Sequence, residues 1–500
     1  MNGTPSLGVS VRGLLRNAIE VYRDTPDVAT TLRRHLDRMD EPLRVAIAGK
    51  VKSGKSTLLN ALVGEEVAAT DAAECTRVLT WYRDAMSPRV ALHPVDGVPR
   101  QVPIHRRNGA LHIDLQGASP EQLDRIVVDW PSQHLRALTL IDTPGIASLS
   151  TEVSARTTAF LTPEDEAATA DAVVYLMRHL HGSDIGFLES FHDRGVAKAN
   201  PVNAIAVLCR VDEVGGGRVD ALLSARKIAQ RYRTDPKLRG LCQTVVPVAG
   251  LLACTGRTLR QAEFIAIGQL ATAPRADVER ILLSVDRFVC STEDLPASLT
   301  DLTVSPVDVR VGLLARLGLF GVRLAVTLVR QGHHQPARLA AELVRRSGLD
   351  DLRQVLSAQF TERADLLKAR SALLALDVVL QRDPRPRTGP LAAEVERILA
   401  GAHEFAELRL LSSLRSGVLP LPPEAAAEAE RLLGGSGRAP TARLGLERHD
   451  PDEIRRAGLD ALGRWRRRAE NPLSSRAVTD AARIVVRSCE GLLAETTAQS

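Results

Sequence analysis

A chain of 500 residues is too long for one hydrophobic core and implies two or three domains. With 44% hydrophobic and 25% charged residues it has the balance of an ordinary globular protein, and aromatics at only 3% argue against a reader of single-stranded nucleic acid, which needs stacking platforms. A net charge of +5 spread over this length is not a polybasic tail, and six cysteines without a CxxC pair speak against zinc and for a reducing cytosol.

The opening segment, MNGTPSLGVSVRGLLRN, has no long apolar stretch of the kind a secretory signal needs. No run of about 18 uninterrupted apolar residues follows, so no membrane-spanning helix is expected and any membrane contact is peripheral. Residues 8–38 carry Val11, Leu14, Leu15 and Ile19 at helical spacing, and Pro42 ends that region. LRVAIAG then predicts a short buried strand that enters a glycine-containing turn and the helix KSTLLNALVG.

Strand-like runs follow at 76–83, 89–95, 110–115, 125–131, 135–142, 171–177, 203–209 and 243–249, the later ones separated by helical stretches. Alternation of this kind predicts a mostly parallel sheet covered on both faces. Past about residue 250 the pattern turns helical. Residues 309–330 set Arg316, Arg323 and Arg330 seven apart among apolar residues and are expected to pack beside the sheet domain. Residues 350–380, with Leu356, Phe360, Leu367 and Leu374 on one face, predict one long bundle helix. RDPRPRTGP breaks it, a helix covers about 391–414, SGVLPLPP forms an apolar loop, and GGSGRAPTARLG reads as a flexible connection. Helices at about 452–470 and 475–496 close the chain.

Gly49, followed after four residues by Gly54, Lys55 and Ser56, is a complete phosphate-loop pattern with a strand before it and a helix after it. In such a loop consecutive backbone N–H groups, from Gly49 through Ser53, Gly54, Lys55, Ser56 and Thr57, converge on phosphate at a helix N-terminus. Lys55 is expected on the outer phosphates, and the Ser56 hydroxyl is expected to ligate Mg²⁺. LTLIDTPG places Asp142 at a strand end, where it would hold Mg²⁺, and Gly145 where its N–H would sense a terminal phosphate. This pair of motifs points to GTP (and GDP) as ligand. VLCRVDEV offers Asp212 to accept the guanine N–H groups and Arg210 to stack over the base, while Cys209 loses the usual polar tether. Ala249 and Gly250, after a further strand, would approach the base with backbone N–H groups.

Thr76, 21 residues after Lys55, is the favoured residue for closing over Mg²⁺ and positioning water, with Thr70 the alternative. The residue after DTPG is Ile146, so no glutamine orients the attacking water there. Lys52, two residues before Gly54, is therefore assigned as an internal cation for the transition state. Lys50 is expected to point away into solvent.

Together GKVKSGKSTLLNALVG, ECTRVLTW, IDTPG and CRVDE resemble the dynamin superfamily, and SGLDDLRQVLSAQFTERADLLKA looks like the junction between its GTPase domain and its helical trunk. Bacterial members of that family commonly carry a lysine at the position of Lys52. The resemblance implies an α/β P-loop GTPase domain with a mostly parallel sheet and helices on both faces, followed by an elongated α-helical bundle. The expected organisation is an N-terminal helical segment at 1–40 packing with the neck, a GTPase domain at 41–350 with a helical insertion at about 255–345, and a trunk at 351–500. It further implies assembly into a homo-oligomer or pairing with a paralogue through GTPase faces, anionic membrane lipids as partners, and peripheral association with the inner face of the plasma membrane. A role in envelope maintenance and tolerance to cell-wall drugs comes from the same resemblance. The expected lipid-facing tip lies at 416–423, with Val418, Leu419 and Leu421 apolar and Arg415 beside them; a second basic loop holds Arg382, Arg385 and Arg387. Two other function classes stay open: a slow or pseudo-GTPase scaffold that partners a paralogue, and an Era-like GTPase acting on RNA or the ribosome. No specific nucleic acid is expected, because the second half offers little beyond Trp465 for stacking.

Overall fold

The protein is represented by a computed structural model that describes residues 6–68, 77–107, 109–144, 170–193, 203–217, 220–415, 417, 419–448 and 450–498. Its centre is a nine-stranded sheet in the order β11-β10-β9-β1-β8-β2-β7-β3-β4. The strands are β1 (Leu43–Gly49), β2 (Leu79–Asp84), β3 (Arg89–Pro94), β4 (Arg100–Val102), β7 (Leu123–Trp130), β8 (Leu138–Asp142), β9 (Ala172–Met177), β10 (Ala204–Leu208) and β11 (Val245–Pro247). β5 (His105–Arg107) and β6 (Ala110–His112) pair separately as a small antiparallel ribbon. The half from β11 to β8 is wholly parallel; β2 runs antiparallel to β8, and β3 antiparallel to both β7 and β4. The fold class read from the sequence is therefore observed, with β4 and β5 added, two short strands that have too few apolar residues to announce themselves.

Strand periodicity explains why β1 is buried everywhere except at Arg44, which is part-exposed. Val45 and Ile47 belong to one interior, and Ala46 and Ala48 to the other. A parallel strand covered on both faces needs apolar residues at every position, with small ones where a helix approaches closely. The interior on the Val45 face continues through Leu349, Leu356 and Phe360 into the helical second half, as far as Trp465 and Val485. Sheet and bundle thus share one core.

The N-terminal helices Leu7–Val21 and Pro26–Arg38 pack on the helix Ala364–Arg382. Asp171, buried just before β9, joins them to the sheet: its Oδ1 accepts from Arg38 Nη2 at 2.9 Å and its Oδ2 from the Arg44 backbone N–H at 3.0 Å. Removing one partner of a buried pair like this costs about 3–5 kcal/mol, because the other charge is left in low dielectric.

Several helical expectations are corrected. The stretch 350–380 is two helices, Leu349–Gln359 and Ala364–Arg382, separated by a 3₁₀ turn. The break turns Gln359 and Arg363 onto the carbonyls of Gly435 and Gly434, at 2.7 and 2.5 Å. The stretch 391–414 is likewise split, into Gly389–Gly401 and His403–Arg415. GGSGRAPTARLG is a packed turn and not a flexible connection: Gly434 and Gly437 are buried, and it contains the helix Pro440–Leu444 with a buried Arg443.

Val307–Arg330 is long and apolar enough by composition to cross a membrane, which the search for an uninterrupted apolar run missed because its arginines interrupt the run. Those arginines fasten it to the head. Arg316 pairs with Glu66 and with Glu263 at 2.7 Å, Arg323 donates to the carbonyls of Leu282 and Gly217, and Arg330 donates to those of Ala271 and Ala273.

His35 on the helix Pro26–Arg38 is buried, and this burial, reinforced by Arg38, Arg44 and Arg34, pushes its pKa down to about 3. The folded protein keeps His35 neutral, whereas the unfolded chain takes up a proton near pH 6.5. Stability is therefore lost as pH falls from 6.5 towards 3, with no contribution above 6.5. The expected loss is roughly 2–3 kcal/mol between pH 6.5 and 4.5. Urea denaturation of the protein and of His35→Leu at these two pH values checks it: the variant's stability should change less with pH by that amount.

Candidate functional site

The parallel strands end together. Ile47 is level with Asp142, Gly49 with Leu176, and Leu208 with both Met177 and Pro247. Loops leaving that edge converge on one place, the usual position of a ligand crevice in an open α/β sheet.

At Gly49 the chain must turn off the sheet beside β9. Its φ of 152° puts it where side chains are rarely found, and a Cβ there would lie 2.7 Å from the Leu176 carbonyl oxygen. The loop then passes through Lys52, which holds a left-handed φ of 60°, and Gly54, before the helix Lys55–Val63 begins. Ser53 is buried, and its Oγ has no hydrogen-bond partner among the described residues. Lys55 is folded back over the loop and donates from Nζ to the carbonyls of Gly49 and Lys50, each at 3.2 Å. Burial lowers its pKa and Asp142 opposes that shift.

Ser56 Oγ donates to Asp142 Oδ2 at 2.9 Å. Asp142 Oδ1 is out of solvent without a hydrogen-bond partner among the described residues. Burial raises this carboxyl's pKa, against the pull of Lys55 and the Ser56 hydroxyl. A hydroxyl and an orphaned buried carboxylate oxygen beside a phosphate-type loop form an all-oxygen donor set that suits a hard divalent cation such as Mg²⁺. Thr143, next in the motif, donates its hydroxyl to the Ile47 carbonyl at 2.9 Å and so ties β8 to β1.

Lys50 is not solvated as expected. Its Nζ lies 3.0 Å from Asp184, which is 1% exposed and also accepts from Tyr175 OH at 2.7 Å. The correction has a simple cause: the helix Gly182–Asp193 after β9 brings a carboxylate under the loop. Lys52 is exposed, and its carbonyl accepts from Arg178 Nη2 at 2.6 Å. Arg178, which belongs to no motif, immediately follows β9; its place at the carboxyl end of a parallel strand next to β1 was the available signal.

On the base side Asp212 is buried, and burial raises its pKa. Arg210 has a left-handed φ of 53°, and its guanidinium pairs with Glu213 at 2.9 Å, so it is not stacked over the site in this structure. Cys209 is buried and donates to the Met177 carbonyl at 3.1 Å, a tether to β9 in place of the usual one. The helix Val307–Arg330 breaks at Gly318 (φ 65°, ψ 169°), and a Cβ there would meet Asp212 Oδ2 at 3.5 Å. The Ala249 N–H donates to the Ser347 carbonyl at 2.9 Å, which corrects its expected role as a base contact. Gly250 starts a helix beside Thr57, whose Cγ2 would lie 3.6 Å from a Cβ at that glycine.

Thr70, Thr76, Gly145, Ile146 and Val418 lie outside the described residues. Leu419 and Leu421 are half-buried against the interior, and Arg415 is buried and paired with Glu430 at 2.7 Å. Leu419 and Leu421, two of the three apolar side chains expected to face lipid, are therefore drawn into packing and not presented at an exposed tip.

Residues 45–188 match the dynamin family. The isoniazid-induced protein IniC of two strains of Mycobacterium tuberculosis is 43% identical over 495 residues, covering 98% of this chain and 99% of that protein. A bacterial dynamin-like protein of Nostoc punctiforme is 32% identical over 139 residues, 26% of this chain and 20% of its own length. Among solved structures, one from an oligomerised bacterial dynamin pair described as sensing and tethering membranes aligns over 100% of this chain and 76% of that one, with 12% identity and a TM-score of 0.31.

Gly49→Ala should destabilise the protein by roughly 1–3 kcal/mol, because the added carbon meets backbone and not a mobile side chain. Denaturant titration reads this directly, and an unchanged midpoint would contradict the close approach of β9.

Proposed function

Since this chain belongs to the dynamin family together with the isoniazid-induced protein IniC, we propose that it binds and hydrolyses GTP and couples nucleotide state and self-assembly to binding and remodelling of a bacterial membrane from its cytoplasmic face. The observation that carries the nucleotide part is the Ser56–Asp142 contact at 2.9 Å beneath a loop that holds Lys55 on its own carbonyls. Lys55 makes poor use of its charge there. Phosphate oxygens arriving above the loop provide the anion that burial denies it, and the lysine swings to them.

Ser56 and Asp142 would hold Mg²⁺ when nucleotide is bound, and the ion would supply charge neutralisation to the phosphates. The backbone N–H groups of Ser53 to Thr57 cradle the phosphates at the helix N-terminus. Asp212 accepts from guanine, with Gly318 leaving space beside its carboxylate. Thr76 closes over the site and positions water, and the Gly145 N–H reads the terminal phosphate. Lys52 places its cation near the bond that breaks, and Arg178 positions it by gripping the Lys52 carbonyl. A cation supplied in this way is worth about 10³–10⁵ in rate in its arginine form.

The membrane contact is assigned to the turn between the helices Pro451–Ala469 and Arg476–Ala498, the antiparallel pair that ends the bundle. Leu473 at that turn is 92% exposed, Arg476 is 95% exposed at its side chain, and Arg466 and Arg467 end the preceding helix. An exposed apolar residue at a turn whose flanking helices carry arginines suits an anionic lipid surface. Pairing with another copy or a paralogue through GTPase faces, and a part in envelope maintenance and tolerance to cell-wall drugs, belong to the same proposal by kinship with the isoniazid-induced relative.

Lys52→Ala should lower GTP turnover by at least about 100-fold while changing nucleotide affinity only a few-fold; stopped-flow nucleotide binding and phosphate release measured together check this, and turnover unchanged in the presence of lipid would sink it. Leu473→Ser should abolish co-sedimentation with anionic liposomes and leave turnover in solution as it was. Retained sedimentation would move the membrane contact elsewhere on the chain, and sedimentation with RNA in place of liposomes would overturn the membrane reading.

A further inference from the structure

Asp212 stands in the 3₁₀ turn Val211–Gly216 and is 8% exposed. The helix Val307–Arg330 borders that turn at two places. At Gly318 the helix breaks with φ 65° and ψ 169°, a region that essentially only glycine occupies. A Cβ there would lie 3.5 Å from Asp212 Oδ2 and 3.6 Å from Leu251 Cδ1, so the backbone at the break runs beside one oxygen of the carboxylate.

Further along the helix, Arg323 donates from Nη1 to the Gly217 carbonyl at 2.6 Å, at the end of the Asp212 turn. The same guanidinium donates from Nε to the Leu282 carbonyl at 2.8 Å and from Nη2 to the Leu283 carbonyl at 3.1 Å, so its direction is fixed. Gly217, buried and with a left-handed φ of 70°, lies between turn and helix: a Cβ on it would stand 3.4 Å from the Asp212 carbonyl oxygen and 3.7 Å from Phe320 Cβ. The break itself is braced. A helix break turns backbone carbonyls towards other donors, and here the Arg316 carbonyl accepts from the hydroxyl of Thr255, a buried residue, at 2.5 Å. Thr255 belongs to the helix Gly250–Arg257, which follows β11 at the same edge of the sheet.

We propose that the stretch from Gly318 to Arg323 positions the Asp212 carboxylate and so sets how strictly the site selects guanine, which rests on the reading of Asp212 as the guanine acceptor. Gly318 and Arg323 are positioning residues in this scheme and act through Asp212. Guanine presents two donors side by side, the ring N1–H and the 2-amino group, and a carboxylate meets both only when its two oxygens are aligned with them. Hypoxanthine keeps N1–H and lacks the 2-amino group. A carboxylate held in line therefore favours guanine over hypoxanthine by one charge-assisted bond, roughly 10–100-fold. A carboxylate free to turn keeps the shared bond and loses that margin, because discrimination comes from a polar group fixed where the wrong base leaves it unpaired. The helix restricts Asp212 at both ends of its freedom, beside the carboxylate at Gly318 and at the close of the turn through Arg323.

Binding of GDP and IDP to the full chain is measured by displacement of a fluorescent GDP; diphosphates are used so that no nucleotide is turned over, and IDP differs from GDP only in lacking the 2-amino group. The unaltered protein should bind GDP roughly 10–100-fold more tightly than IDP, and Gly318→Ala should lower that ratio by about 10-fold. Arg323→Met keeps the apolar stem and removes the bond to Gly217; it should lower the ratio in the same way, and it decides the matter if strain at position 318 prevents folding. Arg330→Gln removes a clasp of the same kind on the same helix, at Ala271 and Ala273, and should leave the ratio as it was. A general loosening of the fold weakens GDP and IDP alike and does not move the ratio. A ratio that Asp212→Ala removes but Arg323→Met leaves intact, or one that Arg330→Gln lowers equally, overturns the inference alone. No preference for GDP in the unaltered protein, or one that Asp212→Ala leaves intact, overturns the reading of Asp212 and the inference with it.

Discussion

Strand β1 has to leave the sheet at a point where β9 already occupies the space a side chain would take. The Leu176 carbonyl stands so close to Gly49 that only hydrogen fits. From that constraint follows the direction of the loop, the start of the helix at Lys55, and the placing of Ser56 against Asp142. The polar groups of the neighbouring strand ends then fasten the loop: Asp184 takes Lys50, Arg178 takes the Lys52 carbonyl, and Thr143 takes the Ile47 carbonyl. Preorganisation of this kind leaves the loop backbone little to rearrange when an anion arrives.

A second organising element is the helix Val307–Arg330. It is apolar enough to be confused with a membrane span, yet three of its four arginines, Arg316, Arg323 and Arg330, reach carbonyls and carboxylates on the head. Each acts as a clasp, and beyond the break at Gly318 the seven-residue spacing of Arg323 and Arg330 keeps those two on one side of the helix. Between the first two clasps the helix breaks at Gly318, and the break faces Asp212. Arg316 at one side of the break holds Glu66, just after the helix of the phosphate loop. Asp212 and the end of the helix that starts at Lys55 are therefore linked through this one element.

Much of the fold was legible because it is written in local patterns. Alternation and apolar runs marked β1, β7, β8, β9 and β10, and the glycine and lysine spacing marked the phosphate loop. The splits at Phe360 and Ala402 were not legible, since the apolar stripe continues across both and only the placing of Gln359 and Arg363 on the 434–435 carbonyls explains the first. The same limit applied to the site. Lys55, Ser56 and Asp142 carried motifs, whereas Asp184, Arg178 and Gly318 have none and act through where neighbouring elements deliver them. Ala249 followed the expected order along the chain but had its N–H taken by Ser347, a partner 98 positions away in sequence.

By itself the sequence determined the class of the sheet, the phosphate loop and kinship with dynamins, because these depend on residue types at fixed short spacings. Tertiary structure alone decided which charges meet. It put Lys50 on Asp184, packed Leu419 and Leu421 half-buried against the interior, exposed Leu473, and left Arg363 Nη1 buried without a hydrogen-bond partner among the described residues. Each of these outcomes depends on distances between elements far apart in the chain, and electrostatic energy depends on that separation and on burial, neither of which a linear pattern contains.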